Sequence, residues 1–316
     1  MNESRFVDFL KKRFPFTRGA GIGDDASAVR SGSGYQLITT DVLIENVHFR
    51  LKDLTPGELA LKSLAVNLSD IAAMGGEPLY FYLGLGFPDR LPLTDLRRFF
   101  SGLEKGCRRW KVELAGGDYS RSRQMFISIT LVGRAGRPVF RHTARPGDRI
   151  GITGPVGESA LGLRLLLKGV RSPYWSRKHK TVTPEIEKGA ILARRVHSMI
   201  DVSDGLLIDL KRVLDASGVG GEIAYEKIPV TEKMRSACRR YGFDEKELVL
   251  SGGEDYALLF TVSAANEKKL REDGIDYRLI GEVTRGHRLL VRDFGKPLSV
   301  RNNGFDHFRR SHGGKR

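Results

Sequence analysis

The chain has 316 residues, 40% of them hydrophobic and 29% charged, and Lys and Arg exceed Asp and Glu by 53 to 38 for a formal charge of +15. That length and apolar content fit two globular domains with their own cores and exclude a largely disordered chain. The two cysteines, Cys107 and Cys238, lie far apart and form no C-x-x-C pair; this excludes a disulfide framework and a cysteine zinc site and makes the reducing cytoplasm the expected compartment. Charges interrupt every apolar stretch of the N-terminus, and no segment has the length of an uncharged transmembrane helix, so neither a secretory signal nor a membrane span is expected.

In chain order, a helix is predicted over residues 3–13, a Gly-rich turn over 19–25 and a strand over 36–41 that ends on an acidic residue. The clearest helix start follows. Thr55 is a capping residue, Pro56 takes the first helical position and Glu58 completes a capping box. The helix runs to about Met74, where Gly75 and Gly76 stop it. Leu61, Leu64, Leu68 and Ile71 recur along one side, alanines and Val66 cover most of the remainder, and Ser63, Asn67 and Asp70 share the single polar strip. A helix buried nearly all round has no place for an unpartnered carboxylate, so Asp70 is expected to face a site.

A strand over 79–87, a helix over 95–110 and a strand over 125–133 complete the first half. The second half opens with the turn Arg145-Pro-Gly-Asp148, the strand 149–153 and the helix 159–167. Residues 169–180 are basic and aperiodic and read as a surface loop. A helix near 184–196, an acidic turn at Asp201, a helix to about Ala216 and several strands follow. Helices and strands alternate without a regular βαβ rhythm, which predicts an α+β fold.

Five short segments combine carboxylates with glycine or hydroxyl residues: Gly21-Ile-Gly-Asp-Asp25, Thr39-Thr-Asp41, Asn67-Leu-Ser-Asp70, Gly116-Gly-Asp118 and Asp201-Val-Ser-Asp-Gly205. Taken singly, each is an ordinary turn or cap. Five in one chain without a Walker motif point instead to Mg²⁺, a hard cation that shares a few carboxylates with substrate phosphates, and so to a polyphosphate ligand. Ser203 precedes a predicted helix, where free N–H groups favour an anion. Gly154-Pro-Val-Gly157 lacks the Gly-Lys-Ser/Thr ending of a phosphate loop and is read as structural.

The segments GIGDDAS, TTDVLIENVHF, LAVNLSDIAAMGGEP, GGD, RPGD, DVSDGL, LSGGEDY and NGFDHF stand in the order seen in thiamine-monophosphate kinases, and the resemblance spans residues 21–308. It implies two α/β domains of the aminoimidazole ribonucleotide synthetase-like fold: an N-terminal ATP- and Mg²⁺-binding domain over 1–137, which pairs in a homodimer to build a barrel across the interface, and a C-terminal domain over 138–316. It implies ATP as co-substrate, thiamine monophosphate as acceptor and several Mg²⁺ ions. Carried over by position, it assigns Asp25, Thr39, Thr40, Asp41, Asp70, Asp118, Asp201 and Asp204 to the metal, Gly117, Asp118, Arg141 and Ser203 to ATP, and His48, Glu254 and Phe305 to thiamine phosphate. Glu254 could accept hydrogen bonds or balance the cationic ring of that substrate. Two departures stand out: Tyr119-Ser120 follow GGD where a Thr pair is expected, and Thr39 stands where Ser is common.

No Ser-His-Asp or Cys-His arrangement is evident, so neither a covalent intermediate nor a general-base residue is expected. The rival readings are another ATP-dependent enzyme of the same superfamily and a basic nucleic-acid-binding protein. A selenophosphate synthetase would carry a reactive Cys near a glycine-rich N-terminus, which this chain lacks. Basic residues gather at 171–180, 235–240 and 309–316, but only the first is interleaved with aromatics, so no nucleic-acid partner is expected.

Overall fold

The computed structural model describes residues 3–300 and 304–305. Its first half contains the strands β1 (Gly19–Ala20), β2 (Ser27–Ser31), β3 (Gly34–Ile44), β4 (Glu77–Phe87), β5 (Glu113–Arg121) and β6 (Phe126–Ala135), with the helices α1 (Glu3–Arg13), α2 (Pro56–Ala73) and α3 (Leu93–Trp110). The strands form one sheet in the order β1-β2-β3-β6-β4-β5, antiparallel except for the parallel β4–β5 pair at its edge.

Period-two alternation sorts the two faces of this sheet. Leu37, Thr39 and Leu43 on β3 are buried, whereas Thr40 and Val42 are exposed. The buried face lies under α2, which packs on β3, β4 and β6 and carries α3 on its back. The capping box of α2 is complete: the Thr55 hydroxyl accepts from the Glu58 N–H and the Glu58 carboxylate accepts from the Thr55 N–H. Gly57 and Gly102 let α2 and α3 touch backbone to backbone; a Cβ on Gly102 would meet the Gly57 Cα at 2.5 Å.

The second half contains β7 (Arg149–Ile152), β8 (Ser198–Asp201), β9 (Gly220–Ala224), β10 (Leu258–Val262), β11 (Arg278–Thr284), β12 (Leu289–Asp293) and β13 (Lys296–Pro297). They form a second sheet in the order β13-β12-β9-β11-β7-β10-β8. Around it are α4 (Glu158–Leu167), α5 (Pro173–Lys180), α6 (Ile186–Leu192), α7 (Leu206–Ser217), α8 (Glu232–Tyr241), α9 (Glu245–Ser251) and α10 (Ala264–Glu272). Two sheets with helices packed on them agree with the α+β expectation. The halves share apolar cores: Ala72 and Ala73 at the end of α2 pack with Leu192, Met199 and Phe260, while Val182 and Tyr256 reach back into the first core.

The structure corrects the sequence reading in three places. Residues 169–180 are not a surface loop, because Pro173–Lys180 is helical and buries Trp175 and His179. Asp201 closes the strand β8 rather than sitting in a turn. The edge strand β5 was not foreseen at all. The basic tail at 309–316 and the end of NGFDHF from Asp306 onward lie outside the described residues. Among the described residues no helix is long and apolar enough to cross a membrane.

Candidate active site

The site lies at the seam between the halves, where four backbone segments converge. The Gly21–Asp25 loop delivers Asp25 ahead of β2. The helix-facing side of β3 delivers Thr39 and Asp41, the polar strip of α2 delivers Asp70, and the last residue of β8 delivers Asp201. Carboxylate oxygens of Asp25, Asp70 and Asp201 all lie within 4.8 Å of one another. Hydroxyl groups steady two of them: Thr39 Oγ1 donates to Asp70 Oδ2 at 2.5 Å and Ser69 Oγ donates to Asp201 Oδ2 at 2.5 Å.

Burial and mutual repulsion both disfavour ionisation here. Desolvation, then Asp41, Asp201 and Asp25, raise Asp70 well above the usual carboxylate range. Desolvation and then Asp25 do the same to Asp201. Asp41 is pushed up to about 6 by burial and by the charges of Asp204 and Asp25. The Tyr256 phenol is raised by burial and by Glu254, Asp41, Asp201 and Asp70, so it stays protonated beside the basin. Arg141 brings a cation from the chain itself to the floor of the basin. Arg141 reaches Asp25 Oδ1 with Nη2 at 2.5 Å, and its backbone N–H donates to Asp24 Oδ1 at 2.7 Å.

Asp204 lies on the rim. Arg212 Nη1 holds its Oδ2 at 2.6 Å and Asp209 Oδ1 at 2.7 Å. Asp209, fully buried, accepts the Asp204 and Gly205 N–H groups at 3.0 Å each, so α7 fixes the Asp201–Gly205 loop from behind. Gly205 needs its glycine: its φ is 131° and a Cβ would meet Ser251 O at 2.9 Å. Alongside runs the segment after α9, where Glu254 N–H donates to Ser203 O at 2.7 Å and Tyr256 N–H donates to Val202 O at 2.9 Å. The Phe305 N–H donates to Asp204 O at 3.0 Å, and the Phe305 side chain is half exposed.

Of the two roles open to Glu254, hydrogen-bond acceptor or counter-charge to a cationic ring, its surroundings favour the first. Its carboxylate already faces Lys62 Nζ at 2.9 Å and His179 Nδ1 at 3.0 Å, and these two partners hold it down at about 2. A carboxylate so neutralised acts as a hydrogen-bond acceptor rather than a counter-charge.

Three expected residues are not brought to the carboxylates. Thr40 turns to the other face of the sheet, where its hydroxyl pairs with Thr130 at 2.9 Å. Gly117 and Asp118 lie on β5, exposed at the sheet edge. Asp118 is three strands away from Val42 across Ser128 and Gly84, roughly 14 Å at the usual strand spacing. Gly117, at φ 155°, presses its Cα against β4; a Cβ there would lie 2.0 Å from Leu83 O. His48 sits in the turn beyond β3, its Nδ1 accepting the Ile44 N–H at 2.9 Å, which leaves the ring proton on Nε2.

The sequence reading missed Lys62, Ser69, His179, Asp209, Arg212 and Tyr256. Lys62 carried a signal, being a charged residue inside an otherwise apolar helix pattern. Asp209 and Arg212 carried none, since an Asp and an Arg three residues apart on a helix have the spacing of an ordinary surface pair.

Residues 23–135 match the family of the AIR synthase related protein, N-terminal domain, and residues 145–293 match that of the AIR synthase related protein, C-terminal domain. The thiamine-monophosphate kinase of Aquifex aeolicus is 35% identical over 98% of this chain and 98% of its own length. That of Escherichia coli K12 is 36% identical over 91% of each chain. The chain belongs to the thiamine-monophosphate kinase family. A solved structure of AaThiL complexed with AMPPCP and TMP superposes with a TM-score of 0.89 at 35% identity, covering 97% of both chains. The fold of this family extends further: the hydrogenase maturation protein HypE, 20% identical, superposes at a TM-score of 0.71 over 92% of this chain and 95% of its own.

Proposed function

We propose that this protein transfers the γ-phosphoryl group of ATP to thiamine monophosphate (TMP), giving thiamine diphosphate and ADP. The observation that carries the reading is the likeness, over nearly the full length in sequence and fold, to a kinase solved with AMPPCP and TMP. The acceptor phosphate monoester is largely dianionic at neutral pH, its second pKa being about 6, so it attacks the γ-phosphorus in line without a general base. What the protein has to do is hold two anions together.

The aspartate basin fits Mg²⁺: the hard-oxygen donors of Asp25, Asp70 and Asp201, the last of them buried, converge within 4.8 Å, and repulsion among them leaves a multivalent cation as the natural partner. Asp25, Asp41, Asp70, Asp201 and Asp204 are the residues that would hold it, Thr39 orienting Asp70. Bound there, Mg²⁺ would supply charge neutralisation for the polyphosphate. Arg141, already at the basin and kept charged by Asp25, is suited to phosphate oxygens, and Ser203 lies near the N-terminus of α7. On the acceptor side, His48 offers an Nε2 donor, Glu254 an acceptor and Phe305 an aromatic face for the cationic heterocycle. The test is direct: folded protein is incubated with Mg²⁺, ATP and TMP, and thiamine diphosphate is measured. Absence of product rejects the acceptor assignment.

We also read the bare edge of the first sheet as the contact with a second copy. β5 is exposed along its whole length, Tyr119 is 77% exposed, and Val42 and Tyr82 leave apolar surface on the open face. In such a homodimer, with the barrel formed between the domains spanning 1–137, Thr40, Gly117 and Asp118 act at an intersubunit nucleotide site; residues 138–316 complete each protomer, in the cytoplasm. Sedimentation should give twice the 35.2 kDa chain mass. A monomer that is fully active would reject the pairing.

A further inference from the structure

We infer that Lys62 and His179 are positioning residues that set the Glu254 carboxylate for the acceptor substrate, tying substrate recognition to the seating of α2 against α5. The inference rests on the reading of Glu254 as a TMP contact and deepens it. Three elements meet at this carboxylate. Lys62 lies mid-way along α2 in the first half, His179 is near the end of α5, and Glu254 is in the segment between α9 and β10. The Lys62 side chain is 1% exposed; its Nζ donates to Glu254 Oε1 at 2.9 Å and to His179 O at 3.0 Å. His179, also buried, meets Glu254 Oε2 at 3.0 Å through Nδ1.

Glu254 is ionised at about 2 and upward and can only accept, so His179 must carry its proton on Nδ1. Each carboxylate oxygen thus has its own donor, one from each half of the molecule. Even so, 29% of the Glu254 side chain remains open. The backbone is specified as tightly: Glu254 has φ 63° and Tyr256 φ 55°, left-handed positions that non-glycine residues seldom take and that persist where their surroundings over-determine them. Stability alone does not require this arrangement, since apolar residues of similar volume serve a packed helix as well as a buried ion pair does. The product of the clamp is an acceptor fixed in place with its charge already balanced. That suits an N–H donor on the ligand better than a bare cationic ring.

The experiment compares KM for TMP and for ATP in five variants, with thermal unfolding measured in parallel. His179→Leu is expected to raise KM for TMP about tenfold and to leave KM for ATP within about twofold. His179→Asn, whose amide N–H stands in for Nδ1–H, is expected to recover most of that loss. Glu254→Gln should raise KM for TMP by itself, and combined with His179→Leu the two effects should be less than additive. If His179→Leu does not fold, Lys62→Met carries the same expectation, keeping the volume and losing the charge. An unchanged KM for TMP in Glu254→Gln overturns both the assignment of Glu254 and this inference. A Glu254→Gln effect without any effect at His179 or Lys62, or equal changes in both KM values, overturns the inference alone.

Discussion

Asp70→Asn is expected to lower kcat for thiamine diphosphate formation by at least about 10²-fold, while the metal-free variant unfolds at the wild-type temperature or above it. The two halves of this result have one cause. Asp70 sits among Asp25, Asp41 and Asp201, and each of these raises its proton affinity. A neutral amide in its place removes repulsion from the metal-free protein and removes a hard anionic ligand from the metal-loaded one. Asparagine keeps the shape, and its carbonyl oxygen can still accept the Thr39 hydroxyl that now donates to Asp70 Oδ2. Loss of activity in this variant therefore cannot be ascribed to collapse of the seam. The measurements are steady-state kcat and thermal unfolding with and without Mg²⁺. Full activity, or the same Mg²⁺-induced stabilisation as in wild type, would show that Asp70 is not a ligand.

Features were legible in the sequence where local chemistry and tertiary packing agree. The start of α2 was written in Thr55, Pro56 and Glu58, and both capping-box bonds are present. The polar strip of that helix led to Asp70 because an all-round buried helix leaves a carboxylate only a site to face. β5 was illegible for the opposite reason. Ala115-Gly116-Gly117-Asp118 has poor strand propensity, and at the sheet edge nothing buried imposes an alternating pattern. The helix α5 hid behind its basic residues, although Ser172 and Pro173 mark a helix start and Trp175 and His179 stand at the i,i+4 spacing of its single buried stripe. The clamp on Glu254 depends on contacts 75 or more residues apart in sequence; a lysine in an apolar pattern announces that a partner exists but not which one. The resemblance reached Glu254 itself and stopped at the residues that orient it.

The same carboxylates give the metal-free protein an unusual pH dependence. An Asp whose folded pKa is raised keeps its proton longer in the native state than in the unfolded chain. Between the two pKa values the native state then binds more protons, and stability falls as pH rises. Asp41, raised to about 6 in the fold by burial and by the charges of Asp204 and Asp25 against 3.8 unfolded, contributes to this loss. Asp209 and Asp255, each at about 7 through burial, extend the window upward, and Asp70 and Asp201 act in the same direction. Glu254 opposes them, since its lowered value means stability lost only as pH falls toward 2; its window lies below theirs. The metal-free protein should therefore unfold at a temperature higher at pH 5 than at pH 8 by about 5 °C or more. Mg²⁺ binds the ionised carboxylates and so should stabilise strongly at pH 8 and little at pH 5, narrowing or reversing the difference. Thermal unfolding at the two pH values, with excess chelator or with Mg²⁺, reads all four states. Equal Mg²⁺ stabilisation at both pH values would mean that the ion binds elsewhere, because only a site built from these raised carboxylates has to release protons to take it.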